Sequence, residues 1–257
     1  MFIIYISYQP TVIVKIQKNR YSYKKVRRKQ IKRNILMIST IMLFAMIAAG
    51  CNFQSPSEKM YEKLEEVVEI EIGFEEQQEP LVTLEKKEQD IYSKIISLGL
   101  EDMDEITKLS DEAIESIAKR KEYMDKEADS IKQSQEKFET ITSDMEDLEE
   151  KEDKQLKEKA DELYKTMMAR YEEHDKLYGN YIEGLNSDKK LYEMFKDKDV
   201  NMEDLENQVK KINETYEMVY ENNQKFNELT KKYNELKVDF YNEAGIKIKM
   251  SDEKEEK

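Results

Sequence analysis

The side chains that most often carry enzyme or metal chemistry are scarce in this chain. It contains one histidine, His174, and one cysteine, Cys51, among 257 residues. Catalytic dyads and zinc sites built on these residue types need several such groups within reach of one another, so the sequence predicts neither. It also contains no glycine-rich phosphate-binding loop. We therefore expect a non-catalytic protein with no metal site and no cofactor.

The abundant carboxylates and the single histidine are both typical of structural positions. Pairs such as Glu75-Glu76 and the acidic run Asp147 to Glu150 lie among charged neighbours, where ion pairing on a solvated helix face is the usual role. His174 falls in line with the apolar residues of a predicted helix, which indicates a core histidine. A pH-sensitive latch is the alternative interpretation for His174.

Tyrosine is the residue type with the greatest potential for ligand binding. Twelve of the 16 tyrosines follow Cys51. A tyrosine ring can stack on a sugar, and it can also pack in a helical seam with its hydroxyl at the rim, which is the favoured role for most of them. Tyr171, Tyr178 and Tyr220 are the candidates for ligand-facing surface rings, because their immediate neighbours occupy the apolar seam.

Cys51 stands at the end of a targeting segment. A basic run from Lys24 to Arg33 precedes an apolar stretch, Ile35 to Gly50, of 16 residues; this order is typical of a signal peptide, and a spanning helix prefers about 20 residues. The stretch ends in Ala48-Ala49-Gly50-Cys51, which resembles the lipobox of bacterial lipoproteins. The resemblance implies cleavage between Gly50 and Cys51 and a diacylglycerol, with acyl chains such as palmitate, on Cys51. An uncleaved membrane anchor is the alternative.

The chain after residue 50 is strongly acidic. The first 50 residues hold 10 Lys or Arg and no Asp or Glu, which leaves 33 basic and 57 acidic side chains and a net charge of −24 in the remainder. Such a surface repels the phosphates of nucleic acids, of anionic lipids and of teichoic acids. Nucleic acid is therefore excluded as a partner.

Composition and apolar spacing predict an all-α fold. The chain has only 6 Gly and 3 Pro, and 39% of its residues are charged, which favours long solvated helices. Apolar residues recur at spacings of three, four and seven over residues 58–98, 104–149, 156–181 and 191–240. Short turns between four such helices favour an elongated antiparallel up-and-down bundle with coiled-coil-like packing. Three long helices are the alternative if one turn is wrong.

Turn and cap residues set the predicted boundaries. Residues 1–50 form the signal peptide, with an over-long start, residues 51–57 a lipidated tether, 58–244 the bundle and 245–257 a disordered charged tail. Proline at 80 is expected to kink or break the first helix, and Gly99 to end it. The other predicted features are a cap at Ser57, a reversal at 149–154, a turn and cap at 184–187 and an alternative cap at Asn201.

The fourth predicted helix has the most regular seam. Its apolar positions alternate by four and three residues from Leu191 to Phe226, a pattern typical of coiled-coil packing. The line then moves to Leu229, Tyr233, Leu236 and Phe240, which predicts a local phase change. The residues of the first part of the seam are Leu191, Phe195, Lys198, Met202, Leu205, Val209, Ile212, Tyr216, Val219, Asn223 and Phe226.

The run from Phe226 to Gly245, together with the lipobox and the tyrosine-rich third and fourth helices, is similar to the YkyA-like cell-wall-binding lipoproteins of Gram-positive bacteria. The resemblance covers residues 51–249. It implies a helical bundle on the outer face of the cytoplasmic membrane, facing the wall, with no catalytic motif to carry over.

These observations predict a non-catalytic lipoprotein of the cell envelope. Its expected partners are the lipid membrane, through lipidated Cys51, and either peptidoglycan or another envelope protein. An extracytoplasmic helical chaperone or adaptor is the alternative. A pore-forming helical component is disfavoured, because no apolar run after Cys51 approaches the 18 residues that insertion into lipid requires.

Overall fold

The computed structural model describes residues 54–99, 101–151 and 154–247. The predicted signal peptide, Cys51 and the predicted tail beyond residue 247 lie outside these residues. Within the described ranges the secondary structure is entirely helical, as predicted. The helices are α1 (Pro56–Ile70), α2 (Ile72–Glu75), α3 (Gln78–Leu98), α4 (Met103–Glu139), α5 (Thr142–Lys151), α6 (Lys154–Phe195) and α7 (Met202–Glu243).

The helices form four antiparallel arms: α1 to α3, then α4 with α5, then α6, then α7. Ion pairs join arms that are consecutive in this order. Lys87 of the first arm lies 2.8 Å from Glu112 of the second, and Lys232 of the fourth arm lies 3.0 Å from Glu162 of the third. The prediction of a four-helix up-and-down bundle is confirmed over the three-helix alternative. With 42 residues, α7 is roughly 60 Å long at about 1.5 Å per residue.

The first helix begins earlier than predicted. The Ser55 side chain accepts a hydrogen bond from the Glu58 amide at 3.2 Å, and the Glu58 side chain accepts one from the Ser55 amide at 2.9 Å. This reciprocal pair is a capping box, and Pro56 occupies the first helical position, where its missing N–H costs nothing. The predicted cap at Ser57 is therefore wrong, because Ser57 is buried within the first turn.

Both of the first two arms are interrupted, and the sequence indicated only one of these interruptions. The first arm breaks between Ile70 and Gln78, just upstream of Pro80, which then sits in the first turn of α3, where helical amides lack partners anyway. The second arm breaks at Thr140 and Ile141, where the sequence has no Gly or Pro to indicate a break. The reversal predicted at residues 149–154 is confirmed by the antiparallel second and third arms. Gly99 has a positive φ of 63° and ends α3 as predicted.

The turn predicted at residues 184–187 is wrong, because α6 continues unbroken to Phe195. A Cβ on Gly184 would lie 3.0 Å from Cζ of Tyr216, so this glycine makes room for a ring of the facing helix. The turn lies instead between Phe195 and Asn201, and Asn201 Oδ1 accepts the Glu203 amide at 2.8 Å. The alternative helix start at Asn201 is therefore confirmed.

We expect Gly184→Ala to destabilise the bundle and Gly179→Ala to stabilise it. Both glycines lie inside α6, where alanine is favoured by about 1 kcal/mol. The Gly184 substitution also forces Tyr216 to move, and such overpacking costs about 1–3 kcal/mol. A Cβ at Gly179 meets no atom within 4 Å. Chemical denaturation followed by circular dichroism measures both; equal shifts of the same sign would contradict this packing.

The predicted seam of α7 is correct from Leu205 to Phe226, where the seam residues are buried. Leu191 and Phe195 belong to α6 instead, and Lys198 and Met202 are exposed. The phase change predicted after Phe226 is wrong. The four-and-three spacing continues through buried Thr230 and through Lys237, whose amine lies 3.6 Å from a Glu65 carboxylate oxygen. The seam continues with polar residues that pair inside the bundle.

The C-terminal end of α7 is closed by Gly245 and Ile246. Gly245 has a φ of 69°. Its amide donates to the Asn242 carbonyl at 3.1 Å, and the Ile246 amide donates to the Tyr241 carbonyl at 2.9 Å. These are the two hydrogen bonds of a Schellman motif, so residues 245 and 246 complete the helix end.

Candidate functional site

A buried ionic network lies in the half of the bundle formed by α3, α4, α6 and α7. The Arg120 guanidinium donates to a Glu88 carboxylate and, at 3.0 Å each, to the hydroxyls of Tyr181 and Tyr216. A carboxylate oxygen of Asp188 lies 3.6 Å from Arg120 Nη1. Tyr216 donates in turn to Asp188. Glu85 completes this Arg120 cluster, since its carboxylate accepts the Tyr181 hydroxyl at 2.8 Å.

The Arg120 cluster holds three carboxylates around one guanidinium. Burial raises the pKa of the Asp188 carboxyl to about 8, with the neighbouring Glu88 adding to the rise. Burial also raises the pKa of Glu85 and of Glu88, although Arg120 opposes the shift in both. These shifts all favour the protonated form of a carboxyl, which limits the negative charge that the core must hold.

A second buried ionic network joins the first, third and fourth arms. Arg170 donates from its two terminal nitrogens to the two carboxylate oxygens of Glu71, at 2.7 and 3.0 Å, and from Nε to the Thr230 hydroxyl at 2.8 Å. Its guanidinium carbon also lies 4.5 Å from the centre of the Phe226 ring. The Arg170 cluster is balanced in charge, and bidentate pairing of this kind is among the strongest that a protein makes.

His174 lies between the two networks. It is buried, and its Nε2 is 3.2 Å from a carboxylate oxygen of Glu127. The Gln78 amide donates to the other oxygen of Glu127 at 2.6 Å. The rings of Phe74 and Phe226 pack against the imidazole and against each other, with centroids 6.1 and 5.6 Å from that of His174 and 5.9 Å apart. The predicted core position of His174 is confirmed.

The sequence carried a signal for these buried charges that the predicted seams did not use. In α4, Ile117, Met124 and Ile131 recur every seven residues. Arg120 and Glu127 fill the intermediate positions, three residues after one apolar residue and four before the next. A seam with four-and-three spacing requires those positions to face the core. Charged residues at seam spacing were therefore the sign of buried ion pairs.

These networks hold the arms together. Within the ranges that the structure describes, no cluster of histidine, cysteine and carboxylate side chains has the arrangement of a metal site. The carboxylates of Glu71, Glu88 and Asp188 are each paired with groups of other arms. Such pairs specify which helices meet and in which register.

Of the three predicted surface tyrosines, the structure exposes one clearly. The prediction is wrong for Tyr171, which is 1% exposed and has its hydroxyl 2.7 Å from Ser134 Oγ. The ring of Tyr178 is half-buried against α4, and its hydroxyl donates to Asp125 at 2.8 Å. Tyr220 is 39% exposed. The three rings therefore do not form one site, and Tyr220 on α7 is the one best placed to meet a ligand.

Comparison with known proteins relates the chain to envelope lipoproteins. A family model described as "YkyA: Putative cell-wall binding lipoprotein" matches residues 55–243. A Bacillus subtilis (strain 168) protein, "Uncharacterized lipoprotein YkyA", is 36% identical over 220 residues, which cover 86% of this chain and 97% of the relative. The 1.6 Å crystal structure of a conserved protein of unknown function from Staphylococcus aureus has a TM-score of 0.51 and 19% identity, over 74% of this chain and 98% of its own. That likeness concerns the fold alone.

None of the helices in the described ranges is both long enough and apolar enough to cross a membrane.

Proposed function

The chain belongs to the YkyA family of lipoproteins, and on this premise we propose that it is a non-catalytic, lipid-anchored protein that binds peptidoglycan from the outer face of the cytoplasmic membrane. The anchor is a lipid on Cys51, after cleavage between Gly50 and Cys51. The bundle is the part that reaches toward the wall.

The observation that carries this proposal is the short distance along the chain between Cys51 and the first helix. Ser55 caps α1, so four residues at most separate the lipid from the bundle, and they span no more than about 14 Å. The N-terminal end of α1 therefore lies close to the bilayer. The C-terminal end of α7 is beside it, since Tyr241 donates to Glu65 at 2.8 Å.

The opposite end of the bundle then points away from the membrane. It consists of the turn at Gly99 and the turn between Phe195 and Asn201. At about 1.5 Å per residue, the length of α7 puts these turns roughly 60 Å from the anchored end. A rigid bundle of this length places its sides, and not only its tip, in the space between membrane and wall. Peptidoglycan is accordingly a better-placed partner than the membrane itself.

We expect Cys51→Ala to abolish processed, membrane-bound protein, because the residue that takes the lipid is gone. Fractionation of cells followed by detection of the chain should show the variant as a longer uncleaved precursor or as released protein. Met218→Ala, an exposed change far from the anchor, is the matched control and should fractionate like the wild type. Processed Cys51→Ala protein that stays fully in the membrane fraction would overturn the anchoring proposal.

A further inference from the structure

One edge of α7 carries an uncharged row in an otherwise highly charged chain. Five asparagine and tyrosine residues recur along it every seven residues. Charged residues make up 39% of the sequence, and the row contains none. The amide–tyrosine row consists of Asn213, Tyr220, Asn227, Asn234 and Tyr241.

The row lies on the edge of α7 that faces the first arm. Its members follow directly after seam positions such as Val219 and Phe226, and because the seam stays buried along the helix, the row keeps its angle beside it. The other edge of the seam faces α6, where the Gln208 amide donates to the Ser187 carbonyl at 2.8 Å. Tyr241 fixes the side of the row, since its ring centroid lies 4.9 Å from that of Tyr61 in α1.

The first arm supplies an apolar wall opposite the C-terminal part of the row, where Tyr61 packs on Tyr241 and Phe74 on Phe226. Val68 follows Tyr61 by seven residues, which places it on the same face of α1. Ile72 is 47% exposed. The adjacent Gly73 is the residue that faces the second arm, since a Cβ there would approach Ser130 of α4 at 3.3 Å. The row and this wall define a groove between the first and fourth arms.

One member of the row has a buried polar atom without a partner in the described part of the chain. Asn213 Oδ1 is buried and accepts no hydrogen bond. A buried acceptor left unmatched is unfavourable, so a donor that reaches this edge of the helix gains a hydrogen bond there. Tyr220, one heptad further along, presents an exposed ring. The half-buried Asn234 adds another amide at the other end of the groove.

We propose that this groove binds a glycan strand of peptidoglycan, an uncharged chain of N-acetylated amino sugars; the inference rests on the proposed function. Asparagine amides donate to and accept from sugar hydroxyls and acetamido groups, and a tyrosine ring stacks on the apolar face of a sugar. Seven residues of helix rise about 10 Å, which is comparable to the disaccharide repeat of such a strand, so that successive members from Asn213 to Asn234 meet equivalent sugars. Tyr241 is buried and closes the end of the row.

The charge of the surroundings favours a neutral glycan over the other wall polymer. The chain after residue 50 has a net charge of −24, and a field of that sign repels the phosphates of teichoic acid. A neutral sugar chain is not repelled by this negative charge. The row itself contributes no charge, so its recognition of a ligand depends on hydrogen bonds and stacking.

The groove is tested by titrating the full lipidated protein in detergent with oligomers of N-acetylglucosamine, followed by tyrosine fluorescence. Tyr220→Ala and Asn234→Ala should each weaken binding about tenfold or more, whereas Met218→Ala, 42% exposed on another face of α7, should bind like the wild type. Asn213→Leu should melt at or above the wild-type temperature and yet bind more weakly. Full affinity in all three row variants would overturn the groove.

Retention on purified sacculi separates this inference from the proposed function. Wild-type protein retained on sacculi, with Tyr220→Ala retained equally, overturns the groove and leaves the proposed function standing. Wild-type protein that is not retained at all overturns both. Retention that requires teichoic acid on the sacculi overturns the glycan groove in favour of the charged polymer. Weaker retention of Tyr220→Ala, with an unchanged circular dichroism spectrum, supports the groove.

Discussion

Replacing Arg120 by alanine is expected to lower the free energy of unfolding by about 3–5 kcal/mol at neutral pH, the usual cost of removing one partner of a buried ion pair. Arg120 is buried, and its guanidinium pairs with Glu88 and donates to the hydroxyls of Tyr181 and Tyr216. Its loss leaves the Glu88 carboxylate in the core without its cation. Urea denaturation followed by circular dichroism measures the effect.

The adjacent residue offers a matched control for the Arg120 substitution. Lys119 also forms an ion pair, with its amine 2.6 Å from Glu115, but both side chains are exposed. Exposed pairs of this kind contribute little to stability, so Lys119→Ala should unfold at the same urea concentration as the wild type. Similar losses for the two variants would show that burial of Arg120 does not matter to the fold.

A stability that falls as pH rises from about 4 to about 8 is the second large expected effect. Burial raises the pKa of Asp188 from 3.8 to about 8 in the folded protein. A carboxyl with a raised folded pKa stabilises the fold fully below its unfolded pKa, and this contribution is lost as pH rises through the folded pKa. One proton held only by the folded state gives a slope of about 1.4 kcal/mol per pH unit.

The Asp188→Asn variant tests the origin of this slope. An amide cannot ionise, so the variant should show a flatter dependence of unfolding free energy on pH between about 4 and 8. Asp125 provides the control, because the Lys121 amine and the Tyr178 hydroxyl lower its pKa against the effect of burial. Its contribution is lost only as pH falls below about 4. Parallel profiles for Asp188→Asn and the wild type over this range would contradict the proposed origin.

The fold was predictable because apolar residues recur at helical spacing along each arm, even where a single residue suggested a turn. The seam from Leu205 to Phe226 is buried as predicted, and few glycines or prolines interrupt the helices. The errors came from residues whose role depends on a distant partner. Gly184 resembles a helix end in sequence, yet it accommodates the ring of Tyr216. Lys237 resembles a surface residue, yet it continues the seam because Glu65 pairs with it.

The candidate site was predictable only in part. The exposed ring of Tyr220 followed from its position beside the seam. The same argument failed for Tyr171, because the core is wide enough there to bury both Tyr171 and its neighbour Arg170. The Arg120 cluster joins residues of four helices, and local patterns do not reveal which charges meet. The lipidation of Cys51 lies outside the described residues and stays a prediction from the lipobox.

Retention of the wild-type lipoprotein on purified sacculi, measured in detergent after the teichoic acid has been removed, tests wall binding most directly. The expected result is retention that does not depend on divalent cations and that is displaced by soluble glycan fragments from muramidase digestion, because an uncharged strand needs no bridging ion. The chain would not be a glycan-binding wall protein if it failed to bind these sacculi, or bound only when teichoic acid and divalent cations were both restored.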